Sequence, residues 1–376
     1  MINKLLKNNE YLKNIFDSVN PRMGKIFMPF LLKNPRYLMN SLKLAKSFEK
    51  SEKLREDYAQ KGIMVPPIMI FSITHMCNLT CGGCFASALG SLDYKKDRHL
   101  SMEEWEEIIN QSIDLGVFTF LIAGGEPFLF ENLLEIVKKY DEQLFVIFSN
   151  GTSIEDEYYK KLKSLSNVVV IISVEGDKEM TDTRRGNGVF DKAIESLKVL
   201  EKQGTLNGIS VTVSKENLDF WSEENNIDYF IDKGIKILFL TEYIPTCESN
   251  DKSALISEIE RYDFRQIVLK YKAEKNILII HSPGDEEIFG GCVSAGRGFA
   301  HINSLGDLTP CPVSDIATHN LKKNTLLEGL QSVLFTEIRE NGELLEKSEG
   351  PCALFENKEQ VEKLRLKVGA YKTNKQ

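Results

Sequence analysis

The sequence predicts an α/β fold built on a parallel sheet, with a helical segment before it and a smaller hairpin-and-helix region after it. Short apolar runs alternate with helical patterns between residues 67 and 284, and this alternation is typical of parallel strands joined by crossover helices. The length of 376 residues suits one barrel with additions, and a hydrophobic content of 42% supports a large core.

Residues 1–66 form the first predicted domain, a basic helical extension. Leu38, Leu42, Ala45 and Phe48 fall at helical spacing with lysines between them. The segment holds 13 lysines and arginines against six acidic residues, a charge of +7, which leaves −15 on the other 310 residues. A basic amphipathic helix suits contact with a membrane surface and contact with a hydrophobic substrate equally, and the alternative is a helical cap over the barrel. For membrane contact we expect the apolar side chains of 26–31 to insert, namely Ile26, Phe27, Phe30 and Leu31.

Residues 67–284 form the second predicted domain, the barrel. Pro66 and Pro67 precede its first strand, and the run from Ser101 to Glu104 predicts a capping box at the start of its first long helix. The apolar runs predict strands at 68–74, 117–123, 144–149, 168–174, 208–214 and 237–241, with a possible seventh at 277–281.

Residues 285–376 form the third predicted domain, in which the alternation stops. The runs 298–303 and 308–310 flank a glycine-containing turn at 304–307 and predict a β-hairpin. A helix is expected over about 325–341.

Charge and cysteine usage limit the functional classes. A net charge of −8 argues against general binding to nucleic acid. Seven cysteines, three of them bunched, do not suggest a disulfide framework, so we expect a reducing cytoplasm. The first residues lack the apolar core of a signal peptide. The apolar stretch 26–32 is too short to span a bilayer.

The most informative motif is a group of three cysteines directly after the first predicted strand. Cys77, Cys81 and Cys84 follow a C-x3-C-x2-C pattern. Three thiolates can hold three irons of a [4Fe–4S] cube and leave the fourth iron open for a small molecule. The alternative is a zinc site, which needs four ligands and has only His75 nearby to complete the set.

This spacing resembles the signature of the radical S-adenosylmethionine (SAM) superfamily, and Phe85 fits the usual aromatic after the third cysteine. One β-α unit later, Gly124, Gly125, Glu126 and Pro127 resemble the family's GGEP segment. The resemblance implies that this segment contacts the amino group of SAM. It also implies that the parallel sheet is a partial, TIM-like (β/α)6 barrel. Alone, such a segment would be an ordinary turn.

The same resemblance suggests further cofactor contacts. Ser173 and Glu175 end the fourth predicted strand, where related enzymes contact the ribose of SAM. Arg185, followed by Gly186, resembles the family's Arg-Gly turn near the SAM carboxylate. Each of these residues also fits a solvated loop. No catalytic acid or base is identified.

A second set of cysteines resembles the SPASM/twitch extension found in many radical SAM enzymes. Cys292, the Gly306-x4-Cys311 hairpin and Cys352 match that pattern. A full SPASM module carries a further C-x2-C run that is absent here, so the resemblance implies one auxiliary [4Fe–4S] cluster and two clusters in all. Cys247 is either the fourth ligand or a plain exposed thiol.

The resemblance implies an enzyme that reductively cleaves SAM to a 5′-deoxyadenosyl radical, which then takes a hydrogen atom from a substrate. Such an enzyme needs an electron donor such as flavodoxin or ferredoxin. The substrate is a peptide, a lipid or another small molecule; residues 1–66 show no strands of the leader-binding kind seen in many peptide maturases. The alternative class is an iron–sulfur electron carrier or sensor without turnover.

Overall fold

The centre of the molecule is a sheet of parallel strands that follow one another in chain order. A computed structural model describes residues 22–92, 99–246, 252–345 and 350–373. Each of the first six strands pairs in parallel with the next, which confirms the predicted α/β class. The strands so joined are β1 Ile68–Thr74, β2 Thr119–Gly124, β3 Leu144–Ser149, β4 Val168–Ser173, β5 Asn207–Val213, β6 Ile237–Glu242 and β7 Leu278–Ser282.

The sheet is curved into an open barrel. The rings of Phe148 on β3 and Phe239 on β6 lie 5.0 Å apart, whereas three strand-to-strand steps in a flat sheet would span about 14 Å. The concave face therefore closes on itself and buries its own apolar cluster, whose fully buried members are Val146, Val169, Ile171 and Ile237.

Helices cover the convex face of the sheet. Trp105 and Trp221 are among the largest fully buried side chains in this outer core layer. Ser101 and Glu104 form the predicted capping box. The helices between the strands are α3 Phe85–Ala88, α4 Met102–Leu115, α5 Leu133–Lys139, α6 Asp156–Leu162, α7 Lys178–Arg185, α8 Val189–Lys202, α9 Leu218–Ser222, α10 Glu224–Asp232 and α11 Glu258–Glu274.

Two helices before the barrel close the end at which its strands begin. The first, α1, covers 22–33, and the second, α2, covers Pro35–Gln60. Phe27 packs on the interior cluster beside the first residues of β3 and β6. Ile26 and Phe30 are also buried. Three of the four residues expected to insert into a membrane therefore pack on the fold instead, because they fill the open end of the barrel.

Of the apolar stripe of α2, Leu38, Leu42 and Ala45 face solvent, whereas Phe48 packs edge-on against Phe118. Leu38 and Leu42 are 39% and 72% exposed, whereas the face that meets the barrel buries Tyr37, Ser47 and Ser51. Small and hydrogen-bonding side chains therefore make most of the contact between α2 and the barrel. Across the described residues, no helix combines the length and the apolar character needed to cross a bilayer.

The C-terminal hairpin joins the barrel sheet. Strand β8, Phe299–Ile302, pairs in parallel with β1, and β9, Asp307–Thr309, returns antiparallel to β8. The predicted hairpin is thus confirmed. Gly306 in its turn has φ of +92°, a conformation that glycine adopts without strain.

The remaining C-terminal elements are short. Strands β10 Ile316–Ala317 and β12 Tyr371–Lys372 pair with each other, and β11 His319–Asn320 pairs with β9. The single helix expected over 325–341 is instead two helices, because the first ends at Leu330 and Ser332 caps the start of the second. The helices are α12 Leu326–Leu330, α13 Val333–Glu340, α14 Gly342–Leu345, α15 Ala353–Glu356 and α16 Lys358–Val368.

Candidate functional site

The three bunched cysteines lie on the loop between β1 and α3, at the carboxyl end of the barrel strands. Each of Cys77, Cys81 and Cys84 is partly exposed. The middle of the loop is bound to α7, since the Gly82 amide donates to the Arg184 carbonyl at 2.8 Å and the Arg184 Nε donates back to the Gly82 carbonyl at 3.1 Å. The loop thus has a fixed backbone position with its thiols accessible.

The electrostatics of this loop suit a group that supplies positive charge. Burial raises the pKa of the Cys77 thiol to about 11. Burial also raises the pKa of Cys81, an effect that Arg185 and Arg184 oppose. Bound iron would displace the thiol protons, and the two arginines would then offset the negative charge of the thiolates. The donor set therefore fits an iron–sulfur cluster.

The predicted SAM loop packs backbone to backbone against the cysteine loop. The Gly125 amide donates to the Thr74 carbonyl at 2.8 Å, and the Glu126 amide donates to the Met76 carbonyl at 2.7 Å. A Cβ atom on Gly125 would lie 2.0 Å from the Met76 carbonyl oxygen. The sequence suggested that the glycines admit a ligand. In the structure, Gly125 also permits the two loops to touch.

The Glu126 side chain points towards the carboxyl end of β3. It is buried and accepts hydrogen bonds from the Ser149 hydroxyl at 2.8 Å and the Asn150 amide at 2.8 Å, both at the end of β3. Burial raises its pKa to about 7. Pro127 is buried too, at the start of a 3-10 turn over Pro127–Leu129. The role of Glu126 towards an ammonium group stays a prediction.

Residues at the end of β4 form a charged network with α7. Buried Glu175 pairs with Arg184 at 2.5 Å and with Arg185 at 2.6 Å. Its second oxygen accepts from the Thr212 amide at 3.1 Å. Ser173, the last residue of β4, lies two residues earlier and shares a hydrogen bond with a serine of β5. Of the predicted contacts, Glu175 and Arg185 are therefore directly paired, and Arg184 joins them to the cysteine loop.

The sequence did not predict the side-chain hydrogen bonds that join the loop after β3 to the cysteine loop after β1. The Asn150 side chain donates to the Asn78 side chain at 2.9 Å, and Asn78 in turn donates to Thr152 at 2.7 Å. In the sequence alone, Asn150 and Gly151 are typical of an ordinary turn after the third strand. Its position at the carboxyl end of a predicted parallel strand was the available signal, because such ends converge on the site.

A buried histidine bridges three neighbouring strands, β9, β8 and β1, near the site. His301 on β8 contacts Ser72 on β1 at 2.8 Å through Nε2 and Thr309 on β9 at 2.7 Å through Nδ1. The Thr309 hydroxyl donates to the Cys311 carbonyl, so we assign the ring proton to Nδ1 and the acceptor role to Nε2. Burial lowers the pKa of His301 to about 3. This histidine is packed, as expected from sequence.

The C-terminal cysteines come together beside the barrel. Cys311 is buried, and the thiol pKa values of Cys292 and Cys352 are raised by burial to about 11 and about 12. Cys311 interacts electrostatically with both. The donor set again fits a cluster whose irons would displace the protons. Cys247, the candidate fourth ligand, lies outside the described residues.

The described residues do not form a site for a single metal ion. Within the part of the chain that the structure describes, no three His, Cys, Asp or Glu side chains are placed to hold a single metal ion. The zinc alternative requires such convergence of Cys77, Cys81, Cys84 and His75. His75 instead stacks on His99 with ring centroids 4.0 Å apart.

Comparison with known proteins places this geometry in context. The sequence model of the radical SAM superfamily matches residues 71–221. Fe-coproporphyrin III synthase of Methanosarcina barkeri is 33% identical over 45% of this chain, which spans 42% of that enzyme. Mycofactocin maturase MftC of Mycolicibacterium smegmatis is 30% identical over 78% of this chain and 76% of that protein.

Among solved structures, Streptococcus suis SuiB bound to its precursor peptide SuiA has a similar fold. The TM-score is 0.63 at 19% identity, and the match covers 78% of this chain and 70% of SuiB. The fold likeness thus covers a larger share of the chain than residues 71–221, which the sequence model matches.

Proposed function

Because the chain belongs to the radical SAM superfamily, we propose that Cys77, Cys81 and Cys84 hold a [4Fe–4S] cluster beside which SAM binds. The chain is an enzyme with a SPASM/twitch-like C-terminal region, since its relatives include synthases and maturases of this superfamily. The family implies a [4Fe–4S] cluster and SAM as cofactors. The cluster, once reduced, supplies the electron that cleaves SAM to methionine and a 5′-deoxyadenosyl radical, which abstracts a hydrogen atom from substrate.

One observation carries this proposal. The loop predicted to bind SAM is hydrogen-bonded through its backbone to the loop with the three cysteines, which is the juxtaposition that SAM cleavage at a cluster requires. We assign Gly124–Pro127 to the methionine amino group, with Phe85 beside the cluster. Ser173 and Glu175 are assigned to the ribose end and Arg185 to the carboxylate. An electron carrier or sensor would not need this second loop.

Iron content and SAM turnover test the proposal. After anaerobic reconstitution we expect about eight irons per chain, four for each of two clusters. Dithionite, in place of a flavodoxin or ferredoxin donor, should give 5′-deoxyadenosine from SAM. Joint replacement of Cys77, Cys81 and Cys84 by alanine should leave about four irons and no 5′-deoxyadenosine. Zinc, or a single cluster in the fully reconstituted wild type, would contradict it.

We propose a precursor peptide as substrate. The support is the similarity over most of this chain to a mycofactocin maturase, together with the fold shared with SuiB, which was solved with its precursor peptide. The test uses a short peptide encoded beside this gene, prepared with deuterated side chains. Deuterium should appear in 5′-deoxyadenosine. The control substrate is coproporphyrin, after the synthase relative. Transfer from coproporphyrin or a lipid alone would contradict a peptide substrate.

We also propose peripheral contact with anionic membranes through the outer face of the N-terminal helices. Five apolar side chains on α1 and α2 are exposed by 39% or more, namely Met28, Leu32, Leu38, Met39 and Leu42. Exposed lysines lie among them, at positions that include Lys25, Lys33 and Lys46. Apolar side chains and basic residues together give affinity for anionic lipid. The opposite, carboxyl end of the barrel would then face the cytoplasm.

A further inference from the structure

We propose that a row of three hydroxyls inside the barrel binds the reacting segment of the substrate, and that this segment is uncharged. The row consists of Thr212 on β5, Thr241 on β6 and Ser282 on β7. The inference rests on the proposed peptide substrate and narrows its class. The part of the peptide that enters the barrel would offer amide or hydroxyl groups, with neither a carboxylate nor an ammonium.

The register of the sheet aligns the three hydroxyls. Thr212 pairs with Thr241 between β5 and β6, and Thr241 pairs with Ser282 between β6 and β7. Because neighbouring strands lie about 4.8 Å apart, the row spans about 10 Å. Phe239, two residues before Thr241, packs on the interior cluster. Side chains alternate along a strand, so Thr241 and its row also face the interior.

Aromatic side chains bound the space in front of the row. On the side where the strands begin, Phe239 and Phe148 meet edge to face with ring centroids 5.0 Å apart. On the side where the strands end, the buried ring of Tyr243 packs on the cysteine loop, since a Cβ atom on Gly83 would lie 2.7 Å from it. Thr241 lies midway along the strand, about 7 Å from each aromatic residue.

The exposure of Thr241 shows that this space is open. Thr241 is exposed, whereas its neighbours Leu240 and Glu242 are each only 1% exposed. Thr212 and Ser282 are partly exposed. Strand β6 is paired along both edges, and helices cover the convex face of the sheet, so this accessible surface opens into the barrel. A segment of the substrate can therefore reach all three hydroxyls.

The chemistry of the row suits a neutral group. A hydroxyl donates and accepts hydrogen bonds without carrying charge, and a charge enclosed without a partner is costly. The nearby carboxylates already have partners. Glu242 lies on the convex face and accepts from the Arg261 guanidinium at 2.6 Å. Glu286 accepts from the Ser282 hydroxyl at 3.2 Å and interacts electrostatically with Arg297.

The row adjoins the residues assigned to SAM. The Thr212 amide donates to the Glu175 carboxylate at 3.1 Å. Ser210, two residues before Thr212, shares a hydrogen bond of 3.1 Å with Ser173. A segment held by the row would therefore lie next to the assigned ribose site, within reach of a radical formed there.

The test measures binding of the deuterated peptide to the full-length reconstituted chain, with SAM present and the clusters oxidised. Thr241→Val keeps the shape of the side chain and removes its hydroxyl. We expect the dissociation constant, measured by fluorescence anisotropy, to rise about fivefold, the effect of one hydrogen bond between neutral groups. Thr241→Ser retains the hydroxyl and should bind within about twofold of wild type.

A charge at this position tests the class of the segment. Thr241→Lys and Thr241→Glu should each weaken binding by more than about tenfold, because either sign sets an unpaired charge against neutral groups. Thr119→Val is the matched control, since Thr119 begins β2 at the opposite end of the barrel, and it should bind as wild type does. Iron content and urea unfolding show whether each variant is folded.

Three outcomes would overturn the proposal. Binding that one charge strengthens and the other abolishes means that the segment is charged. Wild-type binding by Thr241→Val means that the hydroxyl does not contact the peptide. Equal weakening in Thr241→Ser and Thr241→Val means that shape alone matters, and this comparison decides the matter if the charged variants do not fold. A wild type that neither binds the peptide nor forms 5′-deoxyadenosine is a different result, since it contradicts the proposed function itself.

Discussion

At the residue scale, Gly125 serves the site by having no side chain. Its amide bonds Thr74, and its Cα faces the Met76 carbonyl so closely that any Cβ would overlap it. The position therefore sets the distance between the loop with the three cysteines and the loop assigned to SAM. A larger residue must move one loop away from the other.

Gly125→Val should accordingly abolish 5′-deoxyadenosine formation and destabilise the fold by about 1–3 kcal/mol, the usual cost of overpacking. The measurements are product formation by chromatography and anaerobic urea unfolding. Gly24→Ala is the control, because nothing lies within 4 Å of its added Cβ. Normal SAM cleavage by Gly125→Val would show that the contact between the loops is dispensable.

His301 is a second residue with a specific consequence, because it is buried neutral between Ser72 and Thr309. Its pKa is about 3 in the fold and ordinary, about 6.5, when unfolded. Between these values the unfolded chain binds one more proton. The stability that neutral, buried His301 contributes is therefore fully present above about pH 6.5 and is lost as the pH falls below that value.

We expect the free energy of unfolding to fall by up to about 1.4 kcal/mol per pH unit below about pH 6. Urea unfolding of the apo-protein at pH 7, 6 and 5.5 measures it. His301→Gln keeps one donor and one acceptor but does not titrate, so its stability should fall less steeply over this range. If the unfolding free energies of the wild type and His301→Gln fall equally steeply with pH, His301 does not govern the acid sensitivity.

At the element scale, helices α1 and α2 form a plug at the end of the barrel where the strands begin. The plug contacts both the starts of the strands and the barrel interior. The Tyr37 hydroxyl accepts from the Leu206 amide at 3.1 Å and donates to the Val168 carbonyl at 3.1 Å. One side chain on α2 thus satisfies the starts of β4 and β5. Phe27 on α1 fills the interior between strand ends.

Tyr37→Phe should lower the unfolding free energy by about 1–3 kcal/mol, since it leaves a buried amide without an acceptor. Thermal and urea unfolding measure the change. Tyr229→Phe is the control, because Tyr229 is 45% exposed and its change should stay within about 0.5 kcal/mol. Equal effects for the two variants would show that α2 is not fastened to the barrel through Tyr37.

The sequence predicted the strands well because apolar runs of six or seven residues are a local signal. It could not predict which side of α2 is buried, because Ser47 and Ser51 make that contact while Leu42 faces solvent. It also could not show that Glu126 turns towards Ser149, since that hydrogen bond joins residues 23 apart in sequence. The three cysteines were recognisable because a single short loop contains them.

At the scale of the whole molecule, the N-terminal helices combine basic charge with a group of exposed apolar side chains. Residues 1–66 carry +7 and the remainder −15, and the exposed side chains of α1 and α2 lie at the end of the barrel away from the cysteines. An anionic surface would therefore attract the plug and repel the rest, which orients the molecule.

Joint Met39→Glu and Leu42→Glu replacement should abolish co-sedimentation with phosphatidylserine vesicles at low salt. Wild-type binding should be lost at about 1 M salt, where the screening length is about 3 Å. The control is Ile259→Glu on α11, which is 75% exposed and lies outside the plug. A wild type that ignores such vesicles would leave the plug with a structural role alone.

The pairing of β8 with β1 has a consequence for how the chain must be synthesised. During translation, one side of β1 stays without its partner until residue 302 has emerged, some 230 residues later. An unpaired strand edge invites association with other chains, and contacts so distant in sequence form slowly. Fragments ending before residue 299, even those that contain all of 71–221, should therefore aggregate when expressed. Nascent chains would depend on a chaperone until the hairpin closes that edge.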